Sequence, residues 1–103
     1  MEARIEPEPW STHEIVRVLA ALSDVNRYRI VELLADEGEL SCGGIASALG
    51  LSASLISHHL SVLESACVVQ RRKDGLCTLN RLRRDELASR LAALQRSVGV
   101  DRA

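Results

Sequence analysis

Residues 40–66, LSCGGIASALGLSASLISHHLSVLESA, read as two helices with almost nothing between them. Ser41 can cap the first, over 40–50, and Gly50 can terminate it. Gly43 and Gly44 weaken its first turn by about 1 kcal/mol each relative to alanine. Leu51-Ser52 is a tight turn, and Ser52 caps a second helix running to about Ala66. So short a connection makes the two helices neighbours, and the rest of the chain has to be arranged around them.

The second helix has two unlike faces. Stepping about 100° per residue from Ile56 places Leu60, Leu63 and Cys67 beside it, with Leu55, Val62 and Ala66 on one flank. His59 falls inside this apolar arc, as a packed histidine satisfied locally. His58 falls on the other side, with Ser54, Ser57, Ser61 and Ser65. A chelating pair prefers i, i+4 spacing, which these adjacent histidines lack. No Ser-His-Asp or Cys-His pairing has supporting context, so no catalytic role is expected. An ordinary solvated helix face favours Glu, Lys, Arg and Gln, the better helix formers. A serine and histidine face is short, can donate and accept, and lets the backbone approach a surface closely. It suits the major groove of DNA, and an ordinary polar face is the bland alternative.

Upstream, Ser11-Thr12-His13-Glu14 has the capping-box form, and Ile15, Val18, Leu19 and Leu22 make the apolar stripe of a first helix ending near Ser23. Asp24 can cap another, buried through Ile30, Val31, Leu33 and Leu34 and flanked by Arg27 and Arg29. Gly38 is its expected left-handed stop. Downstream, CVVQRRKDGLCTLNRL (67–82) is a hairpin with Asp74-Gly75 as its turn signal. That register sets Cys77 opposite Arg72, a neighbour that favours a thiolate. A final helix from about Arg84 carries Leu87, Leu91, Leu94 and Val98, a narrow seam suited to another helix. The organisation is an acidic, mobile arm over 1–10, one domain over 11–98 and a tail over 99–103.

With one Trp, one Tyr and no Phe among 103 residues, burial rests on small aliphatic contacts, and a dimer interface would help so short a chain. No apolar run approaches a membrane span, and no signal peptide opens the chain, so a cytoplasmic location is expected. Cys42, Cys67 and Cys77 are an odd number at wide spacings, thiols by default in a reducing compartment. The formal net charge is −1, but residues 71–84 hold Arg71, Arg72, Lys73, Arg81, Arg83 and Arg84 against Asp74 alone. A basic segment in a balanced chain signals nucleic acid; the bland reading is a solvated hairpin.

Taken together, LAALSDVNRYRIVELL, ELSCGGIASALGLSASLISHHLSVLESACVV and RRKDGLCTLNRL resemble the ArsR/SmtB family of bacterial winged-helix repressors, over about residues 15–98. The resemblance implies a mainly α fold with a small β-hairpin wing: a winged helix-turn-helix of about five helices that dimerises through its first and last. Ile15, Val18, Leu19, Leu22, Leu87, Leu91, Leu94 and Val98 are then the dimer surfaces. The implied function is a homodimeric repressor of an inverted-repeat operator on double-stranded DNA, with no catalysis. Ser52, Ser54, Ser57, His58 and Ser61 take the groove-facing positions, Arg71, Arg72 and Lys73 belong to the wing, and Arg27 matches the arginine of the second-helix motif. His58 and Ser61 stand where Arg and Lys are common, which moves phosphate binding to the wing and helix ends.

Many members of that family answer to metals, metalloids or oxidants. The last-helix zinc site needs Asp and His, and residues 84–98 contain no His. The third-helix thiolate site needs closely spaced cysteines, and ELSCGG has one. No cofactor or metal is therefore expected. The alternatives are a thiol- or metal(loid)-responsive sensor using Cys42, Cys67 or Cys77, and a dimeric interaction protein without DNA binding.

Overall fold

In the computed structural model, which describes residues 10–100, each of the first four helices starts at the cap its sequence supplies, whereas the fifth starts after Arg83 with no side-chain cap. α1 spans Thr12–Leu22, with Ser11 Oγ accepting from the Glu14 amide at 3.1 Å and the Glu14 carboxylate accepting from the Ser11 amide at 3.0 Å. α2 spans Val25–Glu37, its first turn held by the Asp24 carboxylate. α3 (Cys42–Leu49) is capped by Ser41, α4 (Ala53–Ser65) by Ser52, and α5 runs over Arg84–Val98. The arm expected over 1–10 and the tail over 99–103 lie outside the described residues except for Trp10, Gly99 and Val100. Trp10 is held on α5, its indole donating to Ser89 Oγ at 2.7 Å while Arg90 stacks 3.9 Å over its ring.

Three antiparallel strands accompany the helices: β1 (Glu39–Ser41), β2 (Val69–Asp74) and β3 (Cys77–Leu82), in the order β1-β3-β2. β1 was not expected. Gly38 feeds it directly, so its backbone (φ 92, ψ −94) has the positive φ that suits glycine but not the left-handed helical stop anticipated. The hairpin register also differs from expectation. Asp74 pairs with Cys77 and Arg72 with Leu79, which makes the loop Gly75-Leu76. Gly75, at φ 64, takes the first central position, where a type II′ turn needs glycine. Cys77 therefore faces Asp74, and the expected Arg72 neighbour is absent.

Ile30, Leu34, Ile45, Ile56, Leu60, Leu63, Val68 and Val69 form a core common to α2, α3, α4 and the root of the wing. Two expectations for α1 are corrected by it. Ile15 and Val18 are 9% and 2% exposed within this one chain, so they cannot supply a dimer surface. On α1 and α5 the large apolar side chains left outward are Val16, Leu19 and Val98, with Leu22, Leu87, Leu91 and Leu94 half-buried. Cys67, expected on the buried helical stripe, has instead left the helix with φ 62 and is half-buried.

Candidate nucleic-acid interface

α3 and α4 turn through 114° across Gly50, Leu51 and Ser52. A crossing of roughly 90–120° over three or four residues is helix-turn-helix geometry. Gly50 supplies the left-handed residue (φ 68, ψ 35), and the Leu51 amide closes back on the Ala46 carbonyl at 3.1 Å. At the other end, Gly44 serves the cap. Its amide donates to Ser41 Oγ, and a Cβ there would come within 3.3 Å of that oxygen. The Cys42 thiol, which sequence reasoning held open as a sensor, donates to the Ala53 carbonyl at 3.5 Å and so ties the start of α3 to the start of α4.

The two histidines separate as their helical positions require. Ile56, His59, Leu60 and Leu63 are buried, while Ser52, Ser54, Ser57, His58 and Ser61 are exposed. Ser52 Oγ accepts from the Leu55 amide at 3.1 Å, so it caps the helix as well as facing outward. The side chains of Ser54, Ser57, His58 and Ser61 have no hydrogen-bond partner among the described residues. His59 Nδ1 is 3.3 Å from Arg27 Nη1, and its Nε2 is 4.0 Å from Asp24 Oδ1. A guanidinium only donates, so Nδ1 accepts and the ring proton sits on Nε2, toward the carboxylate. Burial holds the His59 pKa below its ordinary value, although the Asp24 charge opposes the shift.

Arg27 is not aimed outward. Its Nε donates to the Ala21 carbonyl at 2.7 Å and its Nη2 lies 3.5 Å from the Ala20 carbonyl, both in the last turn of α1, where the Ala20 carbonyl also accepts from the Ser23 amide and hydroxyl. The basic segment of the wing is likewise largely paired. Arg71 donates to Asn80 Oδ1 at 3.1 Å and lies 3.8 Å from Glu64 of α4. Arg72 makes a fork of 2.8 and 2.9 Å to Glu39. Lys73 has no such partner among the described residues. Asn80, which sequence reasoning missed, is 1% exposed and also donates to the Leu40 carbonyl, so it locks β1, the wing and Arg71 together. An asparagine inside a strand pattern was the one available signal.

Other chemistry finds little support in this arrangement. Among the described residues no three His, Cys, Asp or Glu side chains gather as a metal site. Cys42 opens α3, Cys67 follows α4 and Cys77 opens β3, so the residues present do not fit the metal sites that the family resemblance implies. A cavity of about 670 Å³ between the end of α2, the sheet and the start of α5 has walls whose charges largely answer one another, as in Arg83–Glu86. Among the described residues no single helix is long and apolar enough to cross a membrane.

A helix-turn-helix whose second helix presents an exposed polar face beside a hairpin defines a winged helix-turn-helix DNA-binding regulator rather than an enzyme. A family described as bacterial regulatory protein, arsR family, matches residues 24–71. The nodulation protein NolR of Rhizobium meliloti is 31% identical over 105 residues, 98% of this chain and 85% of NolR. The chain belongs to the ArsR family of bacterial transcriptional regulators. The cadmium resistance regulatory protein CadC of Listeria innocua is 44% identical over 66 residues, 64% of this chain and 56% of CadC. The chain thus spans only about half the length of the CadC relatives it matches. Among solved structures, an ArsR-like regulator from Rhodococcus sp. RHA1 superimposes with a TM-score of 0.77 at 29% identity, covering 86% of this chain and 82% of that one. A homodimeric winged helix-turn-helix DNA-binding domain from Mycobacterium bovis gives 0.70 at 29% identity, covering 90% of each.

Proposed function

We propose that this chain is a cytoplasmic homodimeric repressor that binds an inverted-repeat operator with α4 in the major groove. The observation that carries the reading is the unpartnered face of Ser54, Ser57, His58 and Ser61, set at 114° to its supporting helix. Short hydroxyls and an imidazole at these positions can reach base edges, while Ser52 and the amides at the start of α4 lie where a phosphate would approach. Lys73 takes a wing phosphate; Arg71 and Arg72 fix the wing's shape through Asn80, Glu64 and Glu39. Arg27 supports α4 and does not read a base. Dimerisation uses the outward apolar residues Val16, Leu19 and Val98 with the half-buried Leu91 and Leu94, and brings two α4 helices to neighbouring grooves. Selection from a random duplex pool tests this: a palindromic site should be enriched, and enrichment of no sequence would sink the reading.

A further inference from the structure

The groove-facing surface and the proposed dimer surface lie on different helices, α4 and α1, which meet through shared core packing, through Arg17 donating to the Ser65 carbonyl at 2.9 Å, and through a polar cluster close to the reading face. Arg27 reaches the Ala20 and Ala21 carbonyls at the end of α1 with Nη2 and Nε, and His59 Nδ1 of α4 with Nη1. Asp24, which caps α2 through the Asn26 and Arg27 amides, lies 4.0 Å from His59 Nε2. His59 is the residue next to His58, and the two ring centroids are 5.7 Å apart. A planar fork with fixed donors holds an angle as well as a distance, which a flexible ammonium would not.

We infer that Arg27 and His59 are positioning residues, a strut that sets the angle of α4 to α1 and thereby the half-site spacing the dimer accepts. The inference rests on the function proposed above. A two-fold axis through α1 and α5 turns any rotation of α4 on α1 into a change of separation between the two reading helices, because each protomer moves symmetrically. Neutral His59 is required, since only the unprotonated Nδ1 accepts from Arg27. The groups facing that ring are Asp24 and Arg27 from the α2 side and His58 from α4; α1 contributes backbone carbonyls through Arg27.

The experiment uses the selected operator and versions with one base pair inserted or deleted between its half-sites, with folding and dimerisation of each variant checked separately. Wild type should prefer the native spacing by about tenfold. His59→Leu, which keeps bulk but loses the acceptor, and Arg27→Lys, which keeps charge but loses the fork, should flatten that preference. They should bind unrelated duplexes as wild type does. His59→Asn, whose amide oxygen can stand in for Nδ1, should restore it. A wild-type spacing preference in folded, dimeric His59→Leu or Arg27→Lys would overturn the inference, as would failure of His59→Asn to restore it. If His59→Leu does not fold, the Arg27→Lys result decides. A wild-type protein that selects no palindrome would bring down the proposed function as well, which separates the two failures.

Discussion

Arg72 of β2 holds Glu39 of β1 across the intervening strand, through two hydrogen bonds of 2.8 and 2.9 Å. The fork lowers the Glu39 pKa and raises that of Arg72, so both are charged at neutral pH and largely cancel. The wing is therefore less cationic toward DNA than its sequence suggests.

Glu39→Gln should release that charge while leaving an amide oxygen for Arg72. Non-specific duplex binding should strengthen at low salt, and its salt dependence should steepen by about one phosphate contact per protomer. Titrating binding against salt concentration checks this. An unchanged slope would mean that Arg72 does not reach the duplex.

The recognition helix and the wing should fail in different ways. Ser57→Ala with His58→Ala removes groove-facing hydrogen-bonding groups, each worth about 1–3 kcal/mol of discrimination when well placed. Operator affinity should fall by at least about tenfold, with little change on unrelated duplexes. Lys73→Ala should weaken binding to every duplex alike and make the salt slope shallower by about one per protomer. Parallel titrations on the operator and a scrambled duplex separate the two. Equal losses on both duplexes for the Ser57/His58 variant would remove α4 from base reading.

Cys67 sits where two other helices use glycine. Gly50 and Gly99 follow α3 and α5 with positive φ, each with the next amide closing five residues back, Leu51 to Ala46 and Val100 to Gln95. At the end of α4 the same closure runs from Val68 to Leu63, and Cys67 adopts φ 62 despite its Cβ. Left-handed backbone costs a non-glycine residue about 1–2 kcal/mol. Cys67→Gly should therefore raise stability by up to about 1 kcal/mol, the remainder going to lost side-chain contact and unfolded-chain freedom. Cys67→Val should lower it. Denaturant midpoints measure both, and a less stable glycine variant would show that the thiol's packing outweighs the strain.

What could be read from the sequence was the part that is local. Ser11 and Glu14, Asp24, Ser41 and Ser52 cap helices through atoms two or three residues away, and a period of 3.6 was enough to send His59 inward and His58 outward. What could not be read depends on partners far along the chain. β1 is a strand only because β3, about 40 residues later, pairs with it. The Asp74-Gly75 signal fits a glycine at either central position of a hairpin loop, and the dipeptide alone does not choose between them. The basic segment suggested a cationic wing because Glu39 and Glu64, which answer Arg72 and Arg71, lie outside it. Ile15 and Val18 looked available to a partner because a stripe does not say whether its own chain or another covers it.

Acid should weaken the fold in two stages. His59 has a pKa below its ordinary value of about 6.5 because it is buried, so the unfolded chain binds its proton first. Its contribution is complete above about pH 6.5 and declines as pH falls from there toward the lowered folded value. The carboxylates act further down. Asp24 is held ionised by the Arg27 and Asn26 amides, Glu14 by the Ser11 amide and hydroxyl, and Glu39 by Arg72. Each keeps its contribution above the ordinary carboxylate range and loses it as pH drops through the depressed folded value. Denaturant unfolding from pH 8 to pH 3 should therefore show a first decline beginning near pH 6.5 and a second in the carboxylate range. His59→Asn should abolish the first and leave the second. A first decline that survives in the His59→Asn protein would show that the buried ring carries no pH dependence of its own.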